Sequence, residues 1–201
     1  RTPPGGSIAV FMRPCEVRAF VELVKLKQGN PDPLYIISVD CLGAVDNRTA
    51  RKHAEEEGRR YTTAFVDKFL SAGDGQLEML APACRVCEHP IAEAVDLAVG
   101  IFGTTIDTHL LLEARSEKGE GLINALGLSA GDKPAERPAA IDKIVAIRKA
   151  ARDEMFAATR AVSGDFSRLD DYLSSCVNCY NCRVACPVCY CRTCVFSTDV
   201  F

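Results

Sequence analysis

The sequence predicts an α/β fold: a parallel-sheet domain with flanking helices, then a long linker helix and a cysteine-rich segment. Three observations support this. Two short apolar runs flank an amphipathic stretch near the N-terminus, a stretch rich in helix-forming residues follows a Pro-containing joint, and seven of the eleven cysteines lie between Cys176 and Cys194. We therefore divide the chain into an α/β domain (1–130), a helical linker (131–165) and a cysteine-rich segment (166–201).

Composition limits the class of protein. The 201 residues are 48% hydrophobic and 25% charged, which is ordinary for a folded globular chain. The net charge of −3 gives no electrostatic footprint for nucleic acid. No apolar run approaches the roughly 18 residues of a membrane span. Because the sequence starts at Arg1 and ends soon after Cys194, we interpret it as a fragment of a longer chain.

The N-terminal region has a strand–helix–strand pattern. The apolar run Ser7–Met12 predicts a buried strand, and Pro14 suits the first turn of a helix. That helix should end before Gly29, and Leu34–Val39 predicts a second buried strand. The apolar face of the predicted helix consists of Val17, Phe20, Val21 and Val24, which recur at helical spacing. This spacing predicts a right-handed βαβ unit with parallel strands.

A polar joint at residues 131–138 separates this region from a second helical stretch. The composition of Ile141–Ala161 predicts a long helix, with Ile141, Ile144 and Val145 on one face. Its cations are Lys143, Arg148, Lys149 and Arg152. We interpret them as a solvated helix face, with docking of a redox partner as the alternative.

The tail contains the strongest motif. Cys176, Cys179, Cys182 and Cys186, followed by Pro187, read CxxCxxCxxxCP. This spacing is typical of ferredoxin-like 4Fe-4S segments, in which three closely spaced thiolates surround one cluster. Structural zinc usually takes two separated cysteine pairs, and disulfide frameworks belong to small secreted domains. We therefore expect iron–sulfur ligands here.

The number of clusters in the tail stays open. Cys189, Cys191 and Cys194 follow the motif at once. In two-cluster ferredoxins the cysteine before proline binds the neighbouring cluster. The tail therefore holds either two clusters or one cluster and three spare thiols.

Four further cysteines fall in the α/β region. Cys15 and Cys41 each follow a predicted strand, so parallel pairing places both at the carboxyl edge of the sheet, where open α/β sheets bind ligands. Cys84 and Cys87 form a CxxC in a loop opened by Pro82. Together they are four thiols, the number that a four-iron cluster requires. The alternative is that Cys15 and Cys41 are merely small buried residues.

Several segments resemble one known family. The runs RPCEVRAFVELVKL, DCLGAV and CRVCEHPIAEAVDLAVGIFG, within residues 7–103, are similar to the beta subunits of coenzyme F420-dependent hydrogenases and dehydrogenases, including formate dehydrogenase. Asp96 and Gly100 also match the family pattern. Where the family commonly has Gly-Asp after this stretch, the chain has Gly100 followed by Ile101, so the flavin contact of that acidic residue is not carried over.

The resemblance implies a cofactor set. Cys15, Cys41, Cys84 and Cys87 would hold a 4Fe-4S cluster beside FAD, which would exchange a hydride with F420 or a related carrier. With the tail, the chain would carry two or three clusters. The implied partners are other subunits of a redox complex of the hydrogenase, formate dehydrogenase or heterodisulfide reductase type.

These expectations define an iron–sulfur flavoprotein subunit of an anaerobic oxidoreductase complex. One alternative is a flavin-free subunit that only conducts electrons, because the chain has no dinucleotide-binding glycine motif. Another is a zinc-stapled interaction protein. A thiolate-rich chain of this kind is expected in a reducing cytoplasm.

Overall fold

A computed structural model describes residues 6–72, 77–177 and 179–182. The N-terminal half begins with the predicted βαβ unit: β1 (Ile8–Met12), α1 (Pro14–Lys25) and β2 (Leu34–Val39). It continues with α2 (Asn47–Glu57), a 3₁₀ turn (Gly58–Arg60), α3 (Tyr61–Ala72), a second 3₁₀ turn (Leu77–Met79) and α4 (Pro82–Arg85).

The second half returns to the sheet and then becomes helical. Its elements are β3 (Leu97–Gly100), β4 (Leu111–Ala114), α5 (Glu117–Ala125), α6 (Arg137–Ser163) and α7 (Phe166–Leu173). The long helix predicted from residue 141 is confirmed and begins four residues earlier, with Pro138 in its first turn. None of the described helices is both long and apolar enough to cross a bilayer.

The sheet is mixed. Its strands lie in the order β1-β2-β3-β4, with β1 and β2 parallel, β2 and β3 parallel, and β3 and β4 antiparallel. The prediction of a parallel sheet is therefore confirmed for three strands and wrong for β4. Residues 101–110, which join β3 to β4, contain no helix. Because a parallel return needs a crossover of about a dozen residues or more, this short connection turns the chain back antiparallel.

Two apolar clusters pack around the sheet. One joins α1 to the strands through Val17, Ile36, Ala92, Val95 and Ala98. The other brings α3, α6 and the segment after β3 together through Phe69, Leu80, Phe102 and Ile144. The first part of α6 therefore packs against the α/β region, which fixes its position relative to the end of β2.

The C-terminal part lies more exposed. The side chains of Phe166 and Val177 are 88% and 82% exposed. Of the tail cysteines, Cys176, Cys179 and Cys182 lie among the described residues and are exposed. Cys186, Cys189, Cys191 and Cys194 lie outside the described residues, so the ferredoxin-like segment stays a prediction, as does the division into three domains.

Candidate cysteine site at the carboxyl edge of the sheet

Cys15 and Cys41 lie where the sequence places them. Cys15 is the second residue of α1, directly after β1, and Cys41 follows β2 by two residues. Because β1 and β2 are parallel neighbours, both cysteines lie at the same edge of the sheet. The turn into α1 is held by Glu16, whose carboxylate accepts a 2.7 Å hydrogen bond from the Arg13 backbone nitrogen. Cys15 is exposed and Cys41 half-buried, so Cys15 is not the small buried residue of the alternative interpretation.

The CxxC lies against the loop that follows β2. Cys84 is in the short helix α4, and Cys87 follows that helix, whereas the sequence predicted a loop throughout. The Ala81 backbone nitrogen donates a 2.7 Å hydrogen bond to the Ala44 carbonyl. Gly43 allows this approach because its φ is +103° and a Cβ there would lie 2.9 Å from Leu80 Cδ1 and 3.3 Å from the Cβ of Cys84.

A further backbone contact closes the arrangement. The Cys41 nitrogen donates a 2.7 Å hydrogen bond to the Pro90 carbonyl, and the Cys87 nitrogen donates one to the Cys84 carbonyl. The segments that carry Cys41, Cys84 and Cys87 are thus tied together by the main chain. The four thiols of Cys15, Cys41, Cys84 and Cys87 are all free of disulfides.

Arg148 of α6 is the polar centre of this site. Its side chain is 1% exposed. Its guanidinium donates to the carbonyls of Leu42 (2.8 Å), Cys41 (3.4 and 3.5 Å) and Cys87 (3.4 Å). The prediction of a solvated cationic face is therefore wrong for Arg148, because α6 packs this residue against the loops that carry the cysteines.

The charges of the site interact. Burial raises the pKa of the Cys41 thiol, and the neighbouring Cys15 and Cys84 raise it further, while a backbone hydrogen bond from Gly43 and the charge of Arg148 oppose this. Burial lowers the pKa of Arg148, whereas Cys87, Cys41 and Cys84 raise it. Arg148 therefore opposes the effect of burial on the pKa of Cys41, and Cys41, Cys84 and Cys87 oppose the effect of burial on the pKa of Arg148.

The described residues do not form a site for a single metal ion. Among the residues that the structure describes, no three His, Cys, Asp or Glu side chains are gathered closely enough to hold one ion. Single-ion sites need all ligands in one coordination shell, whereas each cysteine of a four-iron cluster binds a different iron atom. Four thiols from three segments are the number and kind of ligand that a four-iron cluster takes.

A buried ion pair lies behind the cysteines. Asp40 accepts two hydrogen bonds from Arg137 (2.6 and 2.9 Å) and two from the backbone nitrogens of Ile101 (2.9 Å) and Phe102 (3.1 Å). Gly100 leaves space for this pair, since a Cβ there would lie 2.7 Å from Arg137 Nη1. The residues that follow Gly100, where the family commonly has Gly-Asp, thus donate hydrogen bonds to Asp40, and Phe102 also packs in the second apolar cluster.

Asp96, the other acidic residue of the family pattern, has structural contacts. Its carboxylate accepts hydrogen bonds from the Ile36 nitrogen (2.8 Å) and the Ser116 hydroxyl (2.5 Å). Ser116 is the N-cap of α5. Asp96 therefore joins β2 to the start of α5.

The sequence pattern of α6 indicates that Arg137 and Arg148 are buried. The positions 137, 141, 144 and 148 recur at helical spacing on the face that carries Ile141 and Ile144. Both arginines are buried on that face. A cation at a core-facing helical position indicates a buried partner, and this could have separated them from the solvated cations.

Comparison with known proteins decides the family. Residues 5–131 match the family model for the C terminus of the coenzyme F420 hydrogenase/dehydrogenase beta subunit. The chain belongs to this family. The match covers the whole sheet, all four cysteines of the edge and the Asp40 contacts to the segment after β3, so the family resemblance predicted from the sequence is confirmed.

Two curated relatives are similar over nearly the whole chain. F420-dependent formate dehydrogenase 1 subunit beta of Methanococcus maripaludis is 26% identical over 222 aligned positions, which cover 96% of this chain. F420-dependent formate dehydrogenase subunit beta of Methanocaldococcus jannaschii is 26% identical over 220 positions, again 96% of this chain. In both cases the chain spans 57% of the length of the relative.

Proposed function

We propose that this chain belongs to an electron-transferring beta subunit of an F420-dependent oxidoreductase, and that Cys15, Cys41, Cys84 and Cys87 hold a 4Fe-4S cluster. The observation that carries the proposal is that buried Arg148 donates hydrogen bonds to the carbonyls of Cys41 and Cys87, while Cys15 shares the edge of the sheet with Cys41. The family and the names of the relatives support the redox class.

The protein's own contribution is to fix and partly bury the thiols. Cys41 is held by its bond to Pro90, and the CxxC by its approach to Gly43. When bound, a four-iron cluster accepts and releases single electrons, at a potential set by burial, charge and hydrogen bonds around its sulfur atoms. The chain's residues thus provide an electron-transfer site rather than a group for hydrolytic chemistry.

The FAD implied by the resemblance has weaker support. A groove of about 310 Å³ beside the site is lined by Phe11, Met12, Arg13, Glu16, Val39, Asp40, Cys41, Leu42 and Gly43. This is at the low end of the volumes that small-molecule sites occupy. This groove therefore offers space for part of a flavin but not for a complete FAD, and the flavin-free electron conductor is the second candidate.

The tail extends the proposal. Cys176, Cys179, Cys182, Cys186, Cys189, Cys191 and Cys194 would hold one or two further clusters, as their spacing predicts. The other subunits of a redox complex would exchange electrons with them. The exposed positions of the three described tail cysteines suit ligands that meet a partner surface, and a reducing cytoplasm remains the predicted location.

Oxygen-free purification tests the proposal directly. Iron, sulfide and flavin are measured per chain in the wild-type protein, in Cys41→Ser and Cys84→Ser, and in Ala83→Ser as a control at an exposed neighbour of Cys84. We expect iron and sulfide in the wild type, loss of one cluster in each cysteine variant, and no loss in Ala83→Ser. A colourless wild type that contains zinc or no metal would overturn the proposal, and iron without flavin would select the electron conductor.

A further inference from the structure

We propose that Arg148 is a positioning residue that supplies the fixed positive charge of the cysteine site and raises the reduction potential of the cluster held there. The inference rests on the proposed function, because it assigns a role toward that cluster. It goes further by naming a residue of α6, outside every cysteine motif, that adjusts the electron affinity of the site.

The first support comes from the partners of Arg148. Within the described ranges, no carboxylate pairs with it, and its Nε is buried without a hydrogen-bond partner. Three other cations of α6 do pair with carboxylates. Arg137 forms two hydrogen bonds to Asp40, and Arg152 and Lys149 both pair with Glu88. Among the residues described, Arg148 is therefore a buried cation without the usual compensating carboxylate.

The second support is what surrounds it. A buried charge is strongly unfavourable unless other groups compensate it. The carbonyls of Cys41, Leu42 and Cys87 supply partial negative charge, and the thiols of Cys41, Cys84 and Cys87 supply full negative charge once they bind iron as thiolates. The same three cysteines are thus both the proposed ligands and the electrostatic partners of Arg148.

The redox consequence follows from charge. One-electron reduction, with the electron supplied by a reduced flavin that has taken a hydride from the carrier, would make the cluster and its thiolates one unit more negative, and no bond to a thiolate would be broken. A fixed cation in a buried site stabilises the more negative state because the local dielectric constant is low. Arg148 therefore favours the reduced form, and its removal should move the potential to more negative values.

If Arg148 only held the three carbonyls in place by hydrogen bonding, removal of its charge would leave the reduction potential unchanged. Glutamine could still donate hydrogen bonds to carbonyls but carries no charge, whereas lysine keeps the charge and loses the planar fork of donors. The variants Arg148→Gln and Arg148→Lys therefore separate the effect of the positive charge from the effect of the hydrogen bonds to the carbonyls. Lys149→Gln is the matched control, because Lys149 is the adjacent cation on α6 and its side chain is 51% exposed.

The experiment is an EPR-monitored redox titration of the anaerobically purified proteins, with iron and sulfide measured on the same samples. We expect Arg148→Gln to shift the midpoint potential of the cluster lost in Cys41→Ser to more negative values, and Arg148→Lys and Lys149→Gln to stay near the wild type. If Arg148→Gln does not retain iron, Arg148→Lys carries the test: wild-type iron content together with a midpoint potential near the wild type supports the proposal.

Two results would overturn the inference while leaving the proposed function intact. One is an iron-loaded Arg148→Gln with the same potential as Lys149→Gln. The other is an Arg148→Lys that has lost as much iron, or shifted as far, as Arg148→Gln, because the positive charge would then not be what matters. A wild-type protein without iron would overturn the proposed function and this inference together.

Discussion

Asp40 and Arg137 form a buried ion pair with two hydrogen bonds that joins the end of β2 to the first turn of α6. The side chains are 3% and 8% exposed. Asp40 also accepts hydrogen bonds from the backbone nitrogens of Ile101 and Phe102, so the pair connects β2, β3 and α6. Since Asp40 immediately precedes Cys41, this pair fixes the start of the loop that carries the site, and the hydrogen bond to Asp40 raises the pKa of Arg137.

Loss of the Arg137 side of this pair should destabilise the fold. We expect Arg137→Met to lower the free energy of unfolding by about 3–5 kcal/mol, because it leaves the Asp40 carboxylate buried without its cation. Denaturant titration of the metal-free protein measures the change. The control is Arg51→Gln, which removes an exposed pair with Glu55 and should change stability by less than about 1 kcal/mol. Equal losses in the two variants would contradict the structural role of Asp40 and Arg137.

The close packing at Gly43 leads to a second prediction. We expect Gly43→Ala to cost about 1–3 kcal/mol, because φ is +103° and the new methyl group would meet Leu80. The variant should also retain less iron, since it moves the loop of Cys41 away from Cys84. Gly131→Ala is the control, because a Cβ there meets no atom within 4 Å. Unfolding curves and iron analysis check both parts, and a Gly43→Ala protein as stable as the control would count against the described packing.

The two groups of cysteines should hold separate clusters. We expect Cys41→Ser and Cys182→Ser each to remove one cluster, and the double variant to remove the sum, because ligands of different clusters act independently. Iron and sulfide determinations on the anaerobic proteins measure this. A double variant that loses no more iron than either single variant would show that the edge and tail cysteines share one cluster.

The N-cap of α2 should contribute an acid-sensitive part of the stability. The Thr49 side chain and the backbone nitrogens of Thr49 and Arg48 lower the pKa of Asp46 by hydrogen bonding to its carboxylate. Because the folded protein favours the ionised form, this contribution is present at neutral pH and is lost as the pH falls below the ordinary carboxyl pKa, towards the lower pKa of the folded state.

Asp46→Asn isolates this effect, because asparagine also caps helices but does not titrate in this range. We expect wild-type stability to decline more steeply than that of Asp46→Asn between about pH 5 and pH 3. Unfolding of the metal-free proteins at matched pH values provides the comparison. Parallel pH profiles would mean that Asp46 does not cap α2 as a carboxylate.

Much of the fold could be predicted from local patterns. The apolar runs of β1 and β2, the helical spacing in α1 and the composition of α6 each act over a few turns or strand lengths, so the sequence alone locates them. The carboxyl-edge positions of Cys15 and Cys41 followed from the same reasoning. The direction of β4 did not, because it depends on how residues 101–110 pack after β3.

The chemistry of the site divides in the same way. The sequence by itself determined that this chain carries two sets of cysteines, that two of them follow parallel strands, and that the chain resembles the F420-dependent beta subunits, because residue types and spacing suffice for these conclusions. Only the tertiary structure decided that Arg148 donates hydrogen bonds to the carbonyls of Cys41 and Cys87. It also decided that Asp40 pairs with Arg137, which lies 97 residues away in the sequence. Contacts across such separations depend on how helices pack against the sheet, which no local pattern encodes.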